Sequence, residues 1–498
     1  MDATTTIAPS VRRQAASRIP RDWFAAGALL LVLVATRGFW FGDPVADFDE
    51  QIYSLIGWRM THGDLPYVEI WDRKPFLLYA IYFVAHGLFG PSAAAYQFLA
   101  SLSAFAGAWL VYKLSCELVD RASATVAGSL YLMLMAAYGS YSGQSEIFHT
   151  PLMLSMLWLL RDWRRPDAAK RAMAAMLIGG IALQVKYTVL PQCAFFGAWA
   201  LLGQWRAGTK LPGLVRLAAI FAALGVLPTV LVAAFYAAVG HFDEFWFANF
   251  VSFFEREPAF YGRLQPGQLF ATLPLMILVF PGLYAALRLN PPRVRETYLL
   301  YCAFLVASLA TVLLPSTVYL YYYGALVPAA VLVALPIIDR TSPGRFVLPL
   351  MLLAGAVYIL NFPNRIEHSR SERRVEARLS DAIRPYVNAT DKCLYVFDGP
   401  GALYRSTGTC IPTRFAYPDH LNNNLERRSL GVDQRAELAR ILATRPTVIV
   451  TANKFMTPQR KENLATIRRV TSEDYRPLTT VALHHRQITA WVLKDETP

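Results

Sequence analysis

The stretch Trp23-Phe-Ala-Ala-Gly-Ala-Leu-Leu-Leu-Val-Leu-Val-Ala-Thr-Arg-Gly-Phe-Trp40 leads, within seven residues, into Asp47-Phe-Asp-Glu-Gln-Ile-Tyr53. An apolar run long enough to cross a bilayer therefore ends against a cluster of carboxylates. The run is too long for a typical signal-peptide core and no small-x-small cleavage site follows it, so it reads as an uncleaved first span. Carboxylates beside hydrocarbon are costly to keep ionised, and a cluster of them points to catalysis, ion handling or cation binding. The same loop continues through Gly63-Asp-Leu-Pro-Tyr67 to Trp71-Asp-Arg-Lys-Pro75.

The rest of the chain matches that start. Its 498 residues are 55% hydrophobic and 17% charged, with mean hydropathy +0.32, where soluble domains carry about 25% charged residues. Repeated apolar runs between Gly, Pro and basic clusters make it an all-α polytopic membrane protein. The expected spans are 23–42, 92–117, 122–140, 149–163, 171–188, 190–205, 214–240, 267–288, 297–314, 324–338 and 346–362, eleven in all. Eleven crossings put the basic tail 1–22 in the cytoplasm and residues 363–498 outside. The loops expected inside carry Arg161, Arg164, Arg165, Arg206, Lys210, Arg288, Arg293 and Arg340, whereas the outside loop 43–75 has seven acidic residues against three basic. That asymmetry follows the positive-inside bias and accounts for the net charge of +13 without nucleic acid. Phe76–Gly90 is apolar but short for a crossing, and reads as a juxtamembrane or half-inserted helix closing the loop region 43–91. The short runs 149–163 and 324–338 suggest tilted or thinned regions around a cavity.

After Phe362 the chain turns polar, with strand-like runs Cys393–Phe397, Thr447–Thr451 and Ala490–Leu493. Helices are expected near 433–444 and 458–469, capped by Asp433 and Thr457. This is a small extracytoplasmic α/β domain. Of the five cysteines, Cys116, Cys193 and Cys302 fall in apolar spans, while Cys393 and Cys410 could form a disulfide if the domain is exported. No CxxC or His-Cys cluster suggests a structural zinc site.

Ile52, Leu55, Ile56 and Met60 have helical spacing, so a short interfacial helix should begin near Asp49. A helix N-terminus keeps a carboxylate ionised, which suits a base that takes a proton from an acceptor hydroxyl; the plainer alternative is that Asp47 or Asp49 caps the helix. In the next outside loop, Glu146 lies between Gln144 and His149 and shares a membrane face with Asp49, or else is a helix-start charge. Lys186 is either a phosphate ligand or a snorkelling anchor. Lys74, Arg256 and Arg263 are further cations on that face. Tyr319, Tyr321, Tyr322 and Tyr323 line either a substrate groove or the membrane interface.

Asp49-Glu50-x-x-Tyr53, Gly63-Asp64-x-Pro66-Tyr67, Asp72-x-Lys74-Pro75, Leu88-Phe-Gly90 and a second acid in the next outside loop together resemble the GT-C glycosyltransferases. The nearest group is that of protein O-mannosyltransferases, lipid A aminoarabinose transferases and their bacterial relatives. The resemblance covers residues 23 to about 200 well and the later spans loosely. It implies a GT-C transmembrane domain over 23–362 with a periplasmic appendage over 363–498, in a bacterial inner membrane. It further implies inverting transfer of a monosaccharide from a polyprenyl-phosphate donor to an acceptor hydroxyl or phosphate, on lipid A, an envelope glycan or a protein. By motif, Asp49 is the catalytic carboxylate, Glu146 the second acid, and Lys74 the donor-phosphate contact, with Lys186, Arg256 and Arg263 in support. Asp47, Glu50, Tyr53, Asp72, His149 and Tyr321 are assigned to acceptor or sugar binding. No metal or other cofactor is expected. The sequence departs from many relatives at Phe76, where they have a second proline, and at Glu146, where some have Asp.

A transporter or flippase would need ionisable groups near the bilayer midplane and usually an internal repeat; here the acids cluster in loops of one face. An O-antigen ligase-type enzyme should instead concentrate Arg and His in a late outside loop.

Overall fold

A computed structural model describes residues 19–257, 266–315, 318–341 and 362–497. The first apolar run can satisfy its backbone in a bilayer only as a helix, and it forms α1 over Ile19–Arg37. A charged side chain ties each end. Asp22 accepts hydrogen bonds from the Tyr112 hydroxyl at 2.7 Å and the Lys113 ammonium at 2.9 Å. Arg37, buried at the opposite end, donates to the carbonyls of Ser140 and Ser142 at 2.7 and 2.5 Å.

Seven more helices continue the bundle: α2 (Phe48–Met60), α3 (Phe76–Phe89), α4 (Ala93–Ser115), α5 (Arg121–Ala137), α6 (Ser145–Leu160), α7 (Ala168–Leu183) and α8 (Leu190–Arg206). α9 (Leu211–Ala238) follows, and α4 packs on α5 and α6, α6 on α7, and α7 on α9. α2 is the expected interfacial helix and α3 the short apolar one. They pack so closely that a Cβ at Gly57 would lie 2.7 Å from the Tyr82 backbone.

Among the described residues, five helices are long and apolar enough to cross a membrane: Asp22–Trp40, Ala93–Ser115, Leu211–Ala238, Ala271–Arg288 and Arg295–Leu313. The expected eleven is not reached on that measure. α5 to α8 hold 17, 16, 16 and 17 residues, only about 24–26 Å of rise. The run 324–338 breaks into Leu320–Ala325, Val327–Val333 and Leu335–Ile338, with Pro328 and Pro336 unable to donate to a preceding turn. The expected span 346–362 lies outside the described residues, apart from its last residue.

The loops sort by end. At one end, Glu296 joins Arg164 and Arg206, Arg161 joins Glu117, and Arg340 joins Asp120. The acidic loop 43–75 and the C-terminal domain meet at the other. The domain carries a four-stranded sheet in the order β1-β2-β4-β3, with β1 (Leu394–Val396) parallel to β2 (Val448–Ala452). β3 (Tyr475–Leu483) and β4 (Arg486–Leu493) form an antiparallel hairpin, and Cys393 is disulfide-bonded to Cys410. Asp433 caps a helix over Gln434–Ala443 as expected. Thr457 caps nothing: the next helix is Lys461–Asp474, and the Thr457 hydroxyl donates instead to Asp419 at 2.9 Å.

Candidate active site

Where the bundle meets the C-terminal domain there is a cavity of about 260 Å³. Its walls come from α2 (Phe48, Asp49, Ile52, Tyr53), the following loop (Asp72, Arg73, Lys74), Arg256, and Tyr319, Tyr321 and Tyr322. The C-terminal domain adds Tyr417, Asp419, His420, Glu426, Met456 and Thr457.

Asp49 reaches the cavity because Asp47, two residues before it, caps the helix that begins at Phe48. The Asp47 carboxylate accepts from the backbone N–H of Asp49 at 2.9 Å and of Glu50 at 3.3 Å, the usual N-cap arrangement. Asp49 itself accepts only from neutral groups. The Tyr417 hydroxyl donates to Oδ1 at 2.9 Å. Oδ2 takes the Tyr321 hydroxyl at 2.9 Å, the Gln144 amide at 3.3 Å and the Tyr53 hydroxyl at 3.4 Å. Among the described residues no cation pairs with it.

The opposing charge is Lys74. The Tyr67 hydroxyl donates to the Lys74 carbonyl at 2.8 Å, and the Lys74 N–H donates to the Tyr79 hydroxyl at 3.0 Å. These two bonds fix its backbone, and its ammonium lies 5.9 Å from the Tyr53 ring centroid. Burial works against the Lys74 charge, but Tyr322, Asp49, Asp72 and Glu146 outweigh it and raise the pKa. Lys74 therefore remains a cation. Among the described residues it forms no ion pair, unlike Arg73 and Arg256.

Those two arginines share Glu426: Arg73 pairs with one oxygen, and Arg256 Nε lies 2.7 Å from the other. Burial pushes the Glu426 carboxyl up, but the two arginines outweigh it and hold it down at about 2. Asp72 is engaged as well. It accepts from the Tyr79 hydroxyl at 3.0 Å and lies 3.6 Å from His420 Nε2. Burial raises its pKa, and His420 with Lys74 brings it back to about 2. Asp419 has no ion pair: burial carries it up to about 7 against the Thr457 hydrogen bond and the more distant Arg256. Once these pairs are made, the cavity presents, among the described residues, two acids without an ion pair, Asp49 and the raised Asp419, and one ammonium without one, Lys74.

Asp49, Lys74, Arg256, Tyr53, Asp72 and Tyr321 of the expected residues thus share one cavity. Five others do not line it. Asp47 is spent as the N-cap. Glu50 is buried behind the helix, accepting from the Tyr96 hydroxyl at 3.1 Å and the Gly143 N–H at 2.6 Å. Glu146 and Lys186 form a buried ion pair with each other, because a carboxylate that opens an inward-facing helix must find a partner. Lys186 sits 4.0 Å from the Tyr322 ring centroid, behind the tyrosine wall. His149 is buried in α6, with neither ring nitrogen hydrogen-bonded among the described residues. Arg263 lies outside the described residues. Among them, no three His, Cys, Asp or Glu side chains are grouped as metal ligands would be.

The residues that sequence reasoning missed are Arg73, Tyr417, Asp419, His420 and Glu426. Arg73 had a signal in its position beside Lys74. Tyr417-Pro-Asp-His420 is a polar, aromatic cluster 368 residues from Asp49, the partner of Tyr417, with nothing local to link the two.

No protein-family profile matches the chain, and no curated sequence does. Solved structures do. The crystal structure of ArnT from Cupriavidus metallidurans bound to undecaprenyl phosphate matches with TM-score 0.63 at 16% identity, covering 95% of this chain and 100% of that one. The apo state of the same enzyme matches with TM-score 0.59 at 17% identity, covering 94% and 98%. The fold is that of the GT-C glycosyltransferases. The match runs through both the GT-C bundle and the C-terminal domain, so the two belong to one shared architecture.

Proposed function

We propose that this chain is a membrane glycosyltransferase that moves a monosaccharide from a polyprenyl-phosphate donor to an acceptor hydroxyl, with inversion. The observation that carries the reading is that Asp49 and Lys74 share one cavity and that neither forms an ion pair among the described residues. An unneutralised carboxylate is suited to take a proton. An unneutralised ammonium is suited to a departing phosphate. The ArnT structure of the same fold, bound to undecaprenyl phosphate, supports a lipid-phosphate donor.

In this reading the acceptor O–H gives its proton to Asp49 as its oxygen bonds to the anomeric carbon. The anomeric carbon–phosphate oxygen bond breaks, and its electron pair leaves with the polyprenyl phosphate. Lys74 stabilises that charge, with Arg73 and Arg256 behind it. A phosphate acceptor would need no base, so the uncompensated Asp49 favours a hydroxyl. Protein cations supply the positive charge; transfer abolished by EDTA and restored by a divalent metal would overturn that part. The acidic loop and the Cys393–Cys410 disulfide support an oxidising, periplasmic site in a bacterial inner membrane.

The experiment offers a panel of polyprenyl-phosphate sugars, with envelope acceptors, to membranes containing the protein. Release of polyprenyl phosphate coupled to acceptor glycosylation is expected for one sugar class. Consumption of none would bring the transporter and ligase readings forward.

A further inference from the structure

The two oxygens of Asp49 are not equivalent. Each carboxylate oxygen offers two lone-pair positions. Oδ2 is used up by Tyr321, Gln144 and Tyr53 at 2.9, 3.3 and 3.4 Å, all from the membrane part. Among the described residues, Oδ1 accepts only from Tyr417, at 2.9 Å. Oδ1 therefore keeps the lone pair with which a substrate proton can be met.

Tyr417 belongs to the C-terminal domain, and its ring is fixed. It packs against Phe48 with centroids 5.0 Å apart and against His420 at 5.2 Å. The same segment is anchored to the acidic loop by the Trp71 N–H, which donates to the Arg414 carbonyl at 2.8 Å. His420, three residues on, meets Asp72.

We propose that Asp49 takes the acceptor proton on Oδ1, and that Tyr417 is a positioning residue that sets the direction of its remaining lone pair. The C-terminal domain would then make the base competent by seating on the bundle. This assignment rests on the transferase reading above. The groups facing Asp49 are Asp47 and Tyr53 from its own helix and cap, Lys74 from the loop, Tyr321, Lys186 behind it, and Tyr417. Of the three tyrosine hydroxyls in this set, only that of Tyr417 is on the reacting oxygen.

The test compares Tyr417→Phe with Tyr475→Phe in the full-length protein, measuring kcat, donor KM and thermal unfolding; the Tyr475 hydroxyl is buried in the same domain, where it donates to the Pro446 carbonyl at 2.7 Å and does not line the cavity. Phenylalanine keeps the ring contacts at 417 and removes only the hydroxyl. Tyr417→Phe is expected to lower kcat about 10-fold or more, the effect of losing a hydrogen bond to a charged group, with donor KM within about twofold. Tyr475→Phe is expected to leave kcat and donor KM unchanged. Unchanged kcat in Tyr417→Phe would overturn the assignment while leaving the transferase intact, as would a fall in kcat accompanied by an equal rise in donor KM or by an equal loss of thermal stability. A wild-type protein that transfers no sugar would overturn the transferase reading itself, and the assignment with it.

Discussion

Asp49 and Glu146 stand at the same end of the bundle, each in the first turn of a helix, yet their surroundings are opposite. Asp49 opens onto a cavity and is held by hydroxyls and an amide. Glu146 is 1% exposed at its side chain and neutralised by Lys186. The first carboxylate is stabilised without being cancelled, so it can still gain a proton. The second is part of the framework, a buried charge kept by its partner. The difference shows that sharing a membrane face does not make two acids a catalytic pair.

Breaking the framework side should give the largest effect. Glu146→Gln leaves Lys186 as an uncompensated buried charge and is expected to destabilise the protein by about 3–5 kcal/mol, read as a lower thermal midpoint in detergent. Adding Lys186→Met should recover most of that loss. A double variant no more stable than the single would mean that the pair is not the link between these residues. On the cavity side, Lys74→Met should leave folding intact and cut transfer by about 10²–10³-fold, the scale of losing one electrostatic donor at a developing anion. Wild-type transfer by this variant would remove Lys74 from the site.

The seating of the C-terminal domain can be broken by acid. Asp72 and Glu426 are held down at about 2, below their ordinary values of about 3.9 and 4.3. A depressed carboxylate contributes stability that is present above its ordinary pKa and is lost as pH falls through the folded value. Tryptophan fluorescence should therefore report no domain release from this source above pH ~5, and release between pH ~4 and ~2. Release that begins near neutrality would contradict these partners. The smallest effect sharpens the Asp49 side. Tyr53 donates from 3.4 Å, long for an O–H donor, so Tyr53→Phe should lower transfer by less than about threefold.

Much of this was legible in the chain. Helical spacing of Ile52, Leu55, Ile56 and Met60 placed α2, and the polar break after Phe362 marked where the chain leaves the bundle for its sheet. Asp49 and Lys74 stood out because loops next to a span seldom carry such residues without a use. Partner choice was not legible. Glu146 and Lys186 are 40 positions apart, and nothing local says that they meet. Tyr417 lies 368 positions from Asp49, brought there by the packing of Phe48 and Trp71 against the C-terminal domain. Length and hydropathy alone stop short of the eleven expected spans for a related reason: helices of 16 or 17 residues owe their place to their neighbours, which a window of hydropathy does not see.

The central claim is that Asp49 is the base. Its most direct test is sugar transfer by Asp49→Asn at equal expression, with binding of the lipid-phosphate donor measured on the same preparation. The account predicts transfer lower by about 10²–10⁴-fold, the usual share of a general base, with donor binding retained because Lys74 is untouched. Transfer at the wild-type rate with donor still bound would contradict it.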